Sequence, residues 1–331
     1  MDAPEAAAPT TVVLLLQMGG PATVADVRPF LRSLLSDPAI LAAPAFVRLP
    51  LARLIAWKRA PHVSLQYRAI GGSPIGTTTA RQAAALEAAL ASAGRPMPVR
   101  LAMRYVEPRA ATALKDIAAL GARRLVLLPL YPQHSRTTTG SSIDEVRSLL
   151  PRLCPGVDVV EVLDWADHAG YIEALAATVA RAVDDVPTAL RDRTRLLFSA
   201  HGLPVRYVAA GDRYPDRIAA TVSAVLARLG DAAPPATTCY QSRVGPVKWL
   251  EPSTETAILQ AAADGVKALV VVPVAFVSDH LETLYEIEVT YRDLARRAGI
   301  EAFVRVPALN DDVLLTRALA DIVAQAMDRQ P

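Results

Sequence analysis

The sequence predicts an α/β protein of two similar halves, each built on a parallel sheet covered on both faces, with a ligand cleft between them. Three observations carry this expectation. Short apolar runs alternate with helical stretches along the chain, the runs are continuously apolar, and the second half repeats landmarks of the first. Strands buried on both faces read as unbroken aliphatic runs, and strands separated by helices pair in parallel.

In order, segments 12–17, 99–103, 125–130 and 157–162 are the expected strands of the first half. Segments 195–199, 237–240, 269–274 and 302–306 are those of the second. Segments 79–93, 109–120 and 171–183 have helical spacing, and a last helix at 311–327 is placed to pack back on the first half. Glu107-Pro108 recurs as Glu251-Pro252, Gly121 as Gly265 and Pro129 as Pro273, all at one offset. The opening strands also correspond, with Gln17-Met18-Gly19-Gly20-Pro21 against Ala200-His201-Gly202-Leu203-Pro204. Four matches in one order point to a duplicated unit. The division falls near 155–170, giving units of 10–160 and 161–331.

Composition narrows the function. At 331 residues the length suits two domains at about 150 residues each. The core is expected to be aliphatic, since apolar residues make up 52% and aromatics 5%. A net charge of +2 argues against a nucleic-acid partner. Cys154 and Cys239 have no CxxC spacing and read as core residues in a reducing compartment. The start, Met1-Asp2-Ala3-Pro4-Glu5, lacks the basic and apolar regions of a leader. The longest apolar run, 268–277, is far short of the ~18 residues a membrane span needs. A cytoplasmic protein is expected.

Two stretches carry chemistry. His201 lies at the end of one strand, in Phe198-Ser199-Ala200-His201-Gly202-Leu203-Pro204. Ser278-Asp279-His280-Leu281-Glu282-Thr283-Leu284 follows another and opens a helix. Open α/β sheets bind ligands at such strand ends. Asp279, Glu282 and Glu286 then line one helical face and suggest a route for a divalent cation or protons. The blander alternatives are a hydrogen-bonded turn histidine and a helix start favoured by its dipole. His62, His134 and His168 read as structural or solvated. Gly19-Gly20-Pro21 and Gly71-Gly72-Ser73-Pro74 match no nucleotide-binding pattern and read as tight turns that admit a flat ligand. Segment 41–60 mixes apolar residues with Arg48, Arg53, Lys58 and Arg59. It reads either as a core-packed helix with a basic edge or as an amphipathic lip touching a membrane or an apolar ligand.

Together these motifs resemble the ferrochelatases, enzymes that insert ferrous iron into a porphyrin in haem synthesis. The resemblance rests on Leu16-Gln17-Met18-Gly19-Gly20-Pro21, Gln66-Tyr67-Arg68-Ala69-Ile70-Gly71-Gly72-Ser73-Pro74 and Met103-Arg104-Tyr105. It continues through Leu130-Tyr131-Pro132-Gln133 and the His201 and Glu282 motifs, in family order. It implies two Rossmann-like domains with parallel sheets, a chelatase-like fold with porphyrin in the cleft. It implies His201 and Glu282 as the catalytic pair, on opposite sides of the porphyrin, and as the residues that meet the metal. Met18, Arg104, Tyr105 and Tyr131 would surround the macrocycle with Tyr67 and His280, and Arg59 and Ser73 would contact its propionates. Asp279 and Glu286 would extend a metal or proton path. Ferrous iron and protoporphyrin IX would be substrates, since Met18 resembles the protoporphyrin branch and the coproporphyrin branch usually has Tyr there. Arg136 stands where some relatives have a cluster-ligating Cys, so no iron–sulfur cluster and no resident cofactor is expected. Thr290 replaces an acid that extends the path in some relatives. Segment 41–60 would give peripheral membrane contact. The readings weighed against this are a coproporphyrin ferrochelatase, a non-catalytic porphyrin or haem carrier, a cobalt chelatase and a metal hydrolase. The hydrolase would need a fixed ligand cluster such as HExxH, which is absent from the sequence.

Overall fold

The computed structural model describes residues 11–329. The segment Met1–Glu5 and the outer limits of the two expected units, 10 and 331, lie outside them. The first half contains strands β1 (Thr11–Gln17), β2 (Val99–Met103), β3 (Arg124–Pro129) and β4 (Asp158–Glu161). Its helices are α1 (Val27–Leu35), α2 (Ala45–Ala69), α3 (Ile75–Ser92), α4 (Ala110–Ala119) and α5 (Ser141–Leu153). Helix α6 (Ala169–Asp184) leads to β5 (Thr194–His201), β6 (Ala236–Gln241), β7 (Ala268–Val272) and β8 (Ala302–Arg305). With them come α7 (Val205–Ala209), α8 (Tyr214–Leu229), α9 (Thr254–Ala263), α10 (Arg292–Arg297) and α11 (Val313–Asp328).

The strands form two four-stranded sheets with equivalent orders, β2-β1-β3-β4 and β6-β5-β7-β8. Every pairing is parallel, with Val13 opposite Val99 and Val126, and Leu196 opposite Ala236 and Val270. In each sheet the chain leaves the first strand for one neighbour and later returns to its other side. That reversal makes the crevice beyond the carboxyl ends of β1/β3 and β5/β7 the expected ligand position.

The continuous apolar runs have the predicted cause. On β1, Val13 and Leu15 face one core while Val12, Leu14 and Leu16 face another against α4 and α5. On β7, Val270 and Val272 join the first of these cores, while Leu269 and Val271 pack on α9 and a C-terminal π-helix (Glu282–Tyr291). The shared core therefore runs between the sheets, filled by α6, α8 and α11. A cut near residue 160 separates the sheets without separating their cores. Helix α11 packs on α3 and α6, and Arg81–Asp311 and Arg95–Asp328 pairs at 2.8 and 3.0 Å reinforce that contact. No described helix is long and apolar enough to cross a membrane.

Helix α2 departs most from an ordinary packed helix. Its buried stripe is Ala52, Ala56, Ala60, Val63 and Tyr67, an i, i+4 row of mainly small side chains that continues past residue 60. Its large apolar residues point outward: Phe46 is 80% exposed, Trp57 60% and Leu54 59%. The core-packed alternative holds for the alanine side of the helix, while the large apolar residues it would bury face outward.

Candidate active site

Strand β5 ends on His201, and the chain must turn at once. Gly202 permits this, because a Cβ there would lie 2.6 Å from the Gln241 carbonyl oxygen. The turn leaves the His201 side chain 43% exposed, with Nδ1 2.8 Å from Glu282 Oε2, so the two are in direct contact with no room for a ring between them, unlike the expected placement on opposite sides. Burial pulls the His201 pKa down. The Glu282 carboxylate, by charge and hydrogen bond, outweighs burial with help from Glu286, so the net shift is upward. For Glu282, burial favours the neutral acid, yet His201 and then His280 hold it well below the usual carboxylate range.

Glu282 opens the π-helix, whose i→i+5 bonding widens each turn. Glu286, one turn on, is fully engaged. Its Oε1 accepts from Ser242 N–H at 2.9 Å and the Tyr291 hydroxyl at 2.8 Å. Its Oε2 accepts from Gln241 Nε2 at 3.1 Å and the Ser242 hydroxyl. Ser242 holds a φ of +62°, a region most side chains avoid, and so aims both its donors at this carboxylate. Burial, then the charge of Glu282, raises the Glu286 pKa. Two neighbouring carboxylates are thus pushed in opposite directions.

The expected row of three acids is not formed. Asp279 precedes the π-helix, and its carboxylate is taken up elsewhere. Oδ1 accepts from Thr283 Oγ1 at 2.7 Å and pairs with Arg305 at 3.0 Å, while Oδ2 accepts from Asn310 Nδ2 at 2.9 Å. Asp279 therefore fixes the loop before the helix and does not extend the His201–Glu282–Glu286 line. His280 is buried with neither ring nitrogen hydrogen-bonded, 4.4 Å from the Phe276 ring centre, and burial lowers its pKa.

The facing wall comes from the first half. Met18, beyond β1, packs with Tyr67, Tyr105, the α2 alanines and Leu281, which joins this cluster from the second half. Burial raises the Tyr67 pKa, and so does the charge of Glu282, while Leu281, next to Glu282, packs on the cluster that holds Tyr67. Ser73 follows Gly72, and its hydroxyl is buried with no partner. Arg59 is half-buried, its pKa is lowered by desolvation, and no described carboxylate pairs with it. Arg104 differs. It pairs with Asp37 at 2.9 Å and Glu145 at 3.2 Å and donates to Ser141 Oγ at 2.8 Å. Tyr105 donates to the same Asp37 at 2.9 Å. Arg104 and Tyr105 brace the wall, with the Arg104 charge already compensated. Tyr131 lies half-buried beyond β3.

The sequence reading missed Gln241, Ser242, Tyr291, Phe276 and Asp37. Gln241 and Ser242 were within reach of the argument that found His201, since both lie at the carboxyl end of an expected strand. Nothing local marks Asp37 or Tyr291, whose partners are set by the fold. Among the described residues, no group of three or more His, Cys, Asp or Glu could hold a metal ion.

Comparison with known proteins agrees with this geometry. The ferrochelatase family model matches residues 10–327. A ferrochelatase of Thermosynechococcus vestitus is 45% identical over 328 residues, covering 97% of this chain and 83% of that protein. One from Geotalea daltonii is 43% identical over 315 residues, covering 95% and 97% respectively. A solved structure of the sirohydrochlorin chelatase SirB from Bacillus subtilis subspecies spizizenii, in complex with cobalt, is 12% identical. It superposes with a TM-score of 0.56 over 97% of both chains, a likeness of fold alone. The chain therefore belongs to the ferrochelatase family, the metal chelatases that insert ferrous iron into a porphyrin in haem synthesis.

Proposed function

We propose that this ferrochelatase metallates protoporphyrin IX, with His201 and Glu282 acting together on one face of the bound ring. The observation that carries the reading is the 2.8 Å His201–Glu282 pair at the carboxyl ends of the second sheet, across from Met18 and Tyr67. A free-base porphyrin holds two N–H protons on a flat ring. Iron enters only when the ring bends and both protons leave, so insertion of Fe²⁺ releases two protons and conserves charge. The cleft walls hold the bent ring, using binding energy from its apolar edge and propionates. Arg59, a half-buried cation without an anionic partner among the described residues, and the Ser73 hydroxyl, buried and unpartnered among them, suit those propionates. His201 in its neutral form accepts a proton or meets the metal. Glu282, ionised throughout the physiological range, compensates the cationic charge, and Glu286 continues the route outward.

The outer face of α2 is read as a membrane contact, since Phe46, Leu54 and Trp57 are exposed beside Arg53 and Lys58. The enzyme is read as working without an iron–sulfur cluster, because its two cysteines cannot supply four thiolates.

The test is anaerobic conversion of protoporphyrin IX by Fe²⁺ or Zn²⁺, followed by porphyrin absorbance. His201→Ala and Glu282→Gln are each expected to abolish turnover and leave porphyrin binding largely intact. Normal metallation by either variant overturns the assignment. Tight binding without metallation by the native protein means a carrier. Equal turnover of coproporphyrin overturns the substrate reading drawn from Met18.

A further inference from the structure

Segment 36–44 joins α1 to α2 and is the connection through which α2 is mounted on the first half. On the side of the first half it is fixed by Asp37, a buried carboxylate. Asp37 receives Arg104 and Tyr105 at 2.9 Å, Ser141, and the N–H of Ala39 at 2.8 Å. Arg48 of α2 folds back onto the same segment, donating to the carbonyls of Ser36 at 2.9 Å and Ala43. On the other side a residue of the second half reaches it. The Tyr207 hydroxyl lies 2.8 Å from the Ala39 carbonyl and 3.4 Å from that of Ile40. Among the described residues these are the hydrogen bonds that join segment 36–69 to the second half.

Tyr207 is built for this position. It sits on α7, which begins directly after His201-Gly202-Leu203-Pro204, so one short turn links the strand end that carries the histidine to the helix that carries the tyrosine. The Arg206 guanidinium lies 5.0 Å from the centre of the tyrosine ring and holds it in place. Leu281, next to Glu282, makes the companion apolar contact with the α2 cluster. The lip is thus tied to the second half at two points that adjoin the two members of the catalytic pair.

We propose that Tyr207 is a clasp between the halves. Its hydroxyl ties the connection that mounts α2 to the strand end carrying His201, and so sets how readily the porphyrin cleft opens. Tyr207 is a positioning residue: it acts through the lip and touches no reacting atom. The proposal rests on the reading of this cleft as the porphyrin site.

The test uses the full chain with Tyr207→Phe, which keeps the ring and loses the hydroxyl. Hydrogen–deuterium exchange over residues 36–60 is measured without ligand, and protoporphyrin dissociation by stopped flow. Both are expected to quicken about fivefold, as for the loss of one net hydrogen bond. Single-turnover Zn²⁺ insertion into bound porphyrin should be unchanged, so that KM and kcat separate. Arg206→Ala, which leaves the hydroxyl but frees the ring, should give a smaller effect of the same sign. Unchanged exchange overturns the clasp, and so does a variant that loses single-turnover insertion along with melting temperature, which would make Tyr207 merely structural. Failure of the native protein to bind porphyrin overturns the site reading instead, and the ligand-free exchange still decides the clasp.

Discussion

Opposing forces act on the His201 imidazole. Burial favours its neutral form, and the Glu282 carboxylate favours the cation and wins. The consequence for stability has a definite sign. His201 has a raised folded pKa, so its share of the pairing is complete below 6.5 and fades as pH rises through the folded value. Glu282 has a depressed one, so its share is present above 4.5 and fades as pH falls toward about 2. The pair is therefore strongest between 4.5 and 6.5. The raised folded value moves the deprotonated imidazole, the state a proton acceptor or metal ligand requires, to higher pH than in a free histidine. NMR titration of the His201 ring in the native protein should give a midpoint above 6.5. In Glu282→Gln, where burial acts with far less opposition, the midpoint should fall below 6.5. An unmoved midpoint would show that solvent at this 43%-exposed side chain screens the carboxylate, and that Glu282 does not set the protonation of its partner.

At the scale of elements, the turn after α2 shows how tightly backbone fixes this site. Gly71 and Gly72 both have positive φ, +76° and +96°. They differ in surroundings: a Cβ on Gly72 would lie 2.1 Å from the Ala22 carbonyl oxygen, while one on Gly71 would meet nothing within 4 Å. Gly71→Ala should cost only the left-handed backbone, about 1 kcal/mol. Gly72→Ala adds the clash and should lower the melting temperature further. It should also weaken porphyrin binding, because it displaces Ser73, whose N–H donates to the Pro21 carbonyl at 2.9 Å. Equal melting temperatures would show that the two chain turns are not in close contact. The eight strands were legible in the sequence, the central β1, β3, β5 and β7 as mainly aliphatic runs buried on both faces and the edge strands as short β-rich segments between helices. The π-helix was not: 3.6-residue spacing grouped Asp279 with Glu282 and Glu286, whereas the helix starts at Glu282 and Arg305 and Asn310 claim Asp279. Helix α2 was ambiguous for a related reason, since its buried stripe is alanine and its large apolar residues face outward. His201 and Glu282 could be named from local pattern. Their 2.8 Å contact, and the Ser242 backbone that secures Glu286, depend on strands far apart in sequence.

For the whole molecule, the two sheets share one central core, so the halves form a firm base and the mobile part must be sought at the cleft mouth. There α2 contributes a thin layer of alanines inward and a broad apolar face outward. Phe46, Leu54, Trp57 and Leu65 are each at least 59% exposed on one helix, with exposed Arg53 and Lys58 among them. Large apolar side chains left exposed together along one helix are what an interaction surface requires, and the basic residues around them suit an anionic lipid surface. On the proposed reading, a largely apolar porphyrin ring as substrate would give such a contact a purpose. Burying an exposed large apolar side chain contributes roughly 1.5–3 kcal/mol. Replacing Phe46, Leu54 and Trp57 together with Ser should therefore weaken partition onto anionic vesicles more than a hundredfold. Because none of the three belongs to the buried stripe of α2, melting temperature should barely change. Co-sedimentation across a salt series separates the two contributions: salt should weaken binding of the native protein by screening Arg53 and Lys58, while the apolar share persists. Undiminished binding of the triple variant would show that the outward face of α2 does not meet lipid. In that case the exposed face would be left to the porphyrin edge alone.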